Sequence, residues 1–146
     1  MAPQVTRFAH PWQAGLHFAQ SVRADDLVFA SGQAGFLPDG ALVGEDFESQ
    51  CRQAFANLDE VLRAQGASLD SVVRLNAYFS DAAQYADFKR VRAELLREPY
   101  PASTAVVVGF VFPGMLVELE AVAVRGAGRI VDEASAGPPS GAAPGP

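Results

Sequence analysis

The chain has one cysteine, two methionines, one tryptophan and two histidines in 146 residues, and it is short of positive charge. Each shortage excludes something. Cys51 alone closes no internal disulfide, and its place in an apolar helical repeat points to a buried, inert thiol. His10 and His17 stand too far apart for one ligand motif, and Cys51 has no companion at ligand spacing, so no metal is expected. Eleven Lys and Arg against seventeen Asp and Glu give a formal net charge of -6. The cations are scattered, whereas a surface that tracks phosphates needs them clustered, so nucleic acid is not an expected partner. No apolar run reaches the roughly 18 residues of a membrane span. MAPQVTRFAHPW also lacks the apolar core of a signal peptide. A cytoplasmic location without a membrane partner follows. G-x-S-x-G, P-loop and G-x-G-x-x-G patterns are missing too, which removes the usual nucleophile-elbow and nucleotide signatures and leaves no cofactor implied.

What is present suffices for one core, since 49% of the residues are hydrophobic. Composition divides the chain into a domain over 1–126 and a tail over 127–146, whose Gly, Ala, Pro and Ser cannot offset the entropy of ordering and which is expected to be disordered. Within the domain, Leu16 to Val22 alternates into Asp25-Asp26, and Leu27 to Ser31 resumes the apolar run: a hairpin. Phe47, Cys51, Ala54, Phe55, Leu58, Val61 and Leu62 then recur at helical spacing, and Gly66 stops them, predicting a helix of about five turns. Val72 to Phe79 reads as a strand. Asp81 and Gln84 form a capping pair before Tyr85, Phe88, Val91 and Leu95, which stripe a second helix that ends before Pro99 and Pro101. Ala105 to Val111 and Val117 to Val124 read as two more strands joined across the turn residues of Phe112-Pro113-Gly114-Met115. The order β-β-α-β-α-β-β is an α+β two-layer pattern. Both helices on one face would leave the other sheet face uncovered, which marks an interface.

Three stretches at strand ends carry the candidate chemistry. In VELEAVAV, Glu118, Glu120, Val122 and Val124 share one face of the strand, and Val117, Leu119, Ala121 and Ala123 share the other. An ionised carboxylate on a partly buried face needs water, donors or a cavity, so one acid in a pocket and the other in a salt bridge is the expectation. Ser31-Gly32-Gln33 is either a plain strand terminus or a backbone approach to a ligand. Pro101-Ala102-Ser103-Thr104 is either a proline-led strand entry, with hydroxyls on nearby backbone groups, or a second ligand contact.

SGQAG, QCRQAFANLDEVLRAQGAS, SVVRLNAYFSD, PAST and PGMLVELEAVAV together resemble the Rid family (YjgF/YER057c/UK114), best known for reactive-intermediate enamine and imine deaminases. The resemblance spans about residues 14 to 125. It implies a fold like bacillus-type chorismate mutase, assembled as a homotrimer whose sheets form an internal barrel. It also implies small-molecule clefts between subunits, built from the SGQ region, the strand after the family's PARS motif and a glutamate of the closing strand. Matched residue by residue, that glutamate is Glu118, implied to hold or activate water against an imine carbon. Ser31, Gly32, Ser103, Thr104 and Ala105 would orient the substrate.

The match breaks at two places. The PARS arginine, which grips a substrate carboxylate, is Ser103 here, and a hydroxyl supplies neither the charge nor the planar fork. Phe18 stands where the deaminases carry a tyrosine. Arg92, on the second helix, is either a relocated anion clamp or part of a solvated helix face shared with Arg90 and Arg97. The departures imply a Rid-type hydrolase, deaminase or tautomerase acting on an imine, enamine or related electrophile other than the usual 2-imino acid. Aromatic degradation and natural-product biosynthesis both suit the phenylalanines. The alternative is a non-catalytic small-molecule-binding or regulatory trimer. A ribonuclease reading sits poorly with an acidic chain.

Overall fold

The computed structural model of the chain describes residues 5–8 and 15–126. The elements follow in the order β1 (Val5–Phe8), β2 (Ser21–Ala24), β3 (Leu27–Ala34), α1 (Phe47–Arg63), β4 (Val72–Phe79), α2 (Tyr85–Leu95), β5 (Ala102–Val107) and β6 (Val117–Val124). From β2 onward this is the expected β-β-α-β-α-β-β. The strands make one sheet in the order β1-β2-β3-β6-β4-β5. Only β4 and β5 run parallel, as the helical crossover through α2 requires.

Helix α1 starts where Asp46 accepts a hydrogen bond from the backbone N–H of Ser49 at 2.9 Å, occupying one of the amides that a helix N-terminus leaves free. Its apolar stripe, Phe47, Cys51, Ala54, Phe55, Leu58, Val61 and Leu62, is buried. It lies on the sheet face formed by Val28, Ala30, Leu75, Ala77, Phe79, Val117, Leu119, Ala121 and Ala123. Burying a side chain such as Leu58 stabilises the fold by about 2 kcal/mol. Helix α2 adds Phe88, whose ring centroid is 5.0 Å from that of Phe79 in an edge contact. Between the helices, Glu48 receives Arg52 and Arg90, each at 2.9 Å.

The opposite face of the sheet has no helix. Strand register puts Leu27 and Phe29 of β3 beside Val124 and Val122 of β6, and Asn76 and Tyr78 of β4 beside Glu120 and Glu118. In β5, Thr104 and Val106 extend the two β4 rows. Leu27 and Phe29 stay 44% and 45% exposed. The open face expected from the sequence is therefore present, with an apolar half and a polar half.

Four expectations are corrected. Leu16 to Val22 is not a strand: Gly15 and His17 take positive φ (135 and 60), so the chain turns there and pairing begins only at Ser21. The edge strand Val5–Phe8 went unread because four residues beside prolines and a histidine carry too little alternation. Ser31-Gly32-Gln33 does not end its strand. A register irregularity between Ala30 and Gln33 absorbs the extra residue, and pairing resumes through Ala34. The fifth strand is Ala102–Val107 rather than Ala105 to Val111, because its ladder partner β4 stops at Phe79. Strands β5 and β6 are not neighbours, since β4 lies between them. Residues 127–146, expected to form a tail, lie outside the described residues, as does His10.

Candidate functional site

Strand β6 presents Glu118 and Glu120 on the open face, two residues apart. The two acids are treated differently. Glu120 Oε1 accepts from the Tyr78 hydroxyl and from Asn76 Nδ2, the latter at 3.1 Å. The bond to the carboxylate makes the Tyr78 proton harder to remove, and burial adds to this. Asn76 leaves its own Oδ1 buried without a partner. Turning the amide over would satisfy nothing, because it would take the donor away from Glu120. The salt bridge expected for one of the glutamates is not formed: among the described residues Glu120 is held by neutral donors.

Glu118 has no such support. It is half-buried, and among the described residues no donor or cation reaches its carboxylate. Burial, followed by the charge of Glu120, raises its pKa above the usual carboxylate value. Its side chain lies against Gly32 at the bulge of β3. A Cβ built on Gly32 would stand 2.7 Å from the Glu118 Cδ and 3.1 Å from its Cγ, so a side chain there would displace the carboxylate. Half-buried and unpartnered, Glu118 holds a proton more tightly than an ordinary carboxylate does.

The other candidate residues divide between two places. Near Glu118, the Ser31 hydroxyl donates to the Ala19 carbonyl at 2.7 Å and the Ser31 N–H donates to the Gln20 carbonyl at 2.9 Å. Ser31 therefore pins the 19–20 backbone. Next to it, Gln33 Nε2 donates to Gln20 Oε1 at 2.8 Å in a buried pair. Phe18 follows the positive-φ turn and is 54% exposed. Thr104 lies on the open face in the row of Asn76 and Glu120. Ser103 and Ala105 pair with Leu75 and Ala77, so they face the opposite, helix-bearing side. There Ser103 joins Arg92, Lys89, Ala93, Leu75, Tyr100 and Pro101 around a recess of about 390 Å³. A single protomer thus gathers Glu118, Gly32 and Ser31 in one place and Ser103 and Arg92 in another.

Sequence reasoning passed over Tyr78, Asn76, Lys89 and Tyr100. For the first two the signal was there, since Arg74, Asn76 and Tyr78 alternate with buried residues along β4. Among the described residues no group of three or more His, Cys, Asp or Glu side chains is placed to ligate a metal ion.

The family model described as Endoribonuclease L-PSP matches residues 9–125. The chain belongs to the Rid/YjgF family. Among Rid/YjgF relatives, the mitochondrial protein mmf2 of Schizosaccharomyces pombe is 36% identical over 111 residues, covering 74% of this chain and 87% of the relative. The human 2-iminobutanoate/2-iminopropanoate deaminase is 29% identical over 110 residues, covering 75% of this chain and 80% of the enzyme. The crystal structure of RidA from an Antarctic Psychrobacter superposes with a TM-score of 0.71 at 34% identity, covering 85% of this chain and 98% of that one. The chorismate-mutase-like α+β fold and a Rid-type function follow from this membership. A compartment does not, since the fission yeast relative is named as mitochondrial. No helix among the described residues is long and apolar enough to cross a membrane.

Proposed function

We propose that this Rid/YjgF protein hydrolyses the C=N bond of a small imine, or of an enamine through its imine tautomer, with Glu118 as the proton-transferring group. The observation that carries this is the unpartnered, half-buried Glu118 carboxylate with its raised pKa. Glu118 accepts a proton from water as the water oxygen bonds to the imine carbon. Glu118 returns that proton to the nitrogen, giving the neutral carbinolamine; it then takes the hydroxyl proton and passes it to the nitrogen, the C–N bond breaks as the C=O bond forms, and ammonia and a carbonyl compound are released. Ser31 and Gly32 shape the backbone beside the acid, and Glu120, anchored by Tyr78 and Asn76, keeps a second negative charge close enough to oppose ionisation of Glu118.

The complete site lies between subunits of a homotrimer. Glu118 and Ser103 sit on opposite faces of the same sheet. A ligand reaching both therefore needs the open face of one copy beside the helix-side recess of another. The uncovered Leu27, Phe29 and Val106 supply apolar area for such packing. Phe18, Thr104 and Ala105 are assigned to the cleft wall on the same basis.

A non-catalytic, small-molecule-binding trimer is the second reading, favoured by Ser103, which puts no guanidinium on β5. The ribonuclease suggested by the family model's description is disfavoured: Arg52, Arg63, Arg90 and Arg97 are all paired with carboxylates, which leaves them poorly placed to track phosphates.

The test is ammonia release from freshly generated imines, one bearing a carboxylate and one without, by wild-type protein and Glu118→Gln. Activity that falls by at least about 100-fold in Glu118→Gln supports catalysis, since general acid–base groups contribute on that order. No activity on any imine, with ligand binding intact in both proteins, supports the binder. A stable monomer by sedimentation would overturn the shared cleft.

A further inference from the structure

Tyr78 of β4 stands directly opposite Glu118 in the ladder, and Asn76 stands opposite Glu120. Side chains so placed are about 5 Å apart at Cβ, close enough to bond. Asn76 does so, donating to Glu120 Oε1 at 3.1 Å. Tyr78 does not: its hydroxyl passes Glu118 by and donates diagonally to the same Glu120 oxygen. Both donors of β4 therefore converge on one carboxylate, and the other receives neither. Asn76 holds this orientation with its own Oδ1 buried and unpartnered. A buried acceptor without a donor is costly, so stability alone does not account for the arrangement. The other groups facing the pair are Thr104 and Val106 of β5, Gly32 and Ala34 of β3, and Arg74 of β4, whose charge acts on Tyr78.

We propose that Tyr78 and Asn76 are positioning residues: by donating to Glu120 they fix the negative charge of the carboxylate pair there and reserve the mobile proton for Glu118. Side chains two residues apart on one strand are about 7 Å apart, so two ionised carboxylates repel and a proton entering the pair goes to the one whose charge is less well supported. Two donors support the charge of Glu120. Burial and the charge of Glu120 both make Glu118 hold a proton more tightly. The bond to Glu120, with burial, also keeps the Tyr78 hydroxyl protonated, so it stays a donor and does not become a third anion. That both donors are neutral matters as well. A cation bonded to Glu120 would cancel the charge that acts on Glu118, whereas a hydroxyl and an amide support that charge and leave its field in place. The placement of the proton stands on the geometry, while its use in turnover rests on the reading above that Glu118 moves protons.

The experiment is a carbon-13 NMR titration of the full chain with its glutamates labelled at the side-chain carboxyl, the Glu118 signal being assigned by its loss in Glu118→Gln. Glu120→Gln keeps an oxygen for Tyr78 and removes the charge. It should lower the Glu118 midpoint by roughly one to two pH units, the order of a unit charge about 7 Å away at an effective dielectric of about 20. Tyr78→Phe keeps the ring and removes the donor, so Glu120 competes for the proton and the Glu118 midpoint should fall by less. Tyr85→Phe removes a hydroxyl from α2, on the helix-bearing side, and should leave the midpoint in place. Where an imine is hydrolysed, the acidic limb of the kcat profile should move to lower pH in Glu120→Gln and Tyr78→Phe with KM unchanged, because Glu118 must be ionised to take the proton of water. An unmoved Glu118 midpoint in Glu120→Gln, a rise in Tyr78→Phe, or an equal fall in Tyr85→Phe would overturn the proposal. The expected midpoint shifts in a protein whose Glu118→Gln variant keeps full imine hydrolysis would instead overturn the catalytic reading and leave the placement of the proton standing.

Discussion

Gly32 and Glu118 occupy one space: the carboxylate of the β6 residue fills the volume that any side chain at the β3 residue would need. A methyl group at Gly32 would meet the movable end of Glu118 rather than backbone, so the fold should tolerate it and the acid should move. Gly32→Ala is therefore expected to retain near wild-type thermal stability while losing most of its kcat on whichever imine proves to be a substrate. Gly35→Ala is the contrast, since its methyl would stand 2.8 Å from the Gln50 backbone Cα in α1. Overpacking there should cost about 1–3 kcal/mol, visible as a lower Tm.

The raised pKa of Glu118 has a consequence for stability. A carboxylate that holds its proton more tightly when folded favours the folded state at low pH, and that advantage disappears as pH rises from the ordinary value of 4.5 through the folded one. Above that window the ionised acid destabilises the fold. Glu118→Gln should accordingly be as stable as wild type, or more so, at neutral pH, with the difference shrinking below pH 4.5. Thermal melts across pH decide it, and a variant less stable at pH 7 than at pH 4 relative to wild type would contradict the sign.

Glu48 behaves in the opposite way. Hydrogen bonds from Arg90 and then Arg52 hold its pKa down to about 2. Its contribution is complete above 4.5 and disappears as pH falls through about 2. Because these side chains are exposed, the effect should be a small Tm decrease for Glu48→Gln at pH 7, absent in acid and reduced by salt.

Cys51 is fully buried in α1, and burial pushes its thiol up to about 12. Native protein should resist iodoacetamide at pH 8 for as long as it remains folded, and denaturant should release one reactive thiol. Rapid alkylation of the native chain would show that α1 opens locally.

Leu58 is fully buried at the centre of the α1 stripe. Leu58→Ala should destabilise by about 2–5 kcal/mol in chemical denaturation, with the spread set by how far the cavity collapses.

The amino-acid order alone determined α1 to within a residue and β4 and β6 at their observed ends, because a period of 3.6 or 2 and a stop such as Gly66 are local properties of the chain. It also determined that Glu118 and Glu120 share a face, which the strand period requires. The tertiary structure decided what local pattern does not encode: that β6 inserts between β3 and β4, that β5 ends where its partner ends at Phe79, and that Ser31-Gly32 becomes a bulge inside a longer strand. It decided as well that Glu120 takes the donors of Tyr78 and Asn76 while Glu118 is left bare over Gly32, and that Ser103 and Arg92 meet on the far side of the sheet. These depend on hydrogen-bond ladders and packing between residues tens of positions apart, so the same carboxylate in the same motif is buried, paired or free according to which strands lie beside it.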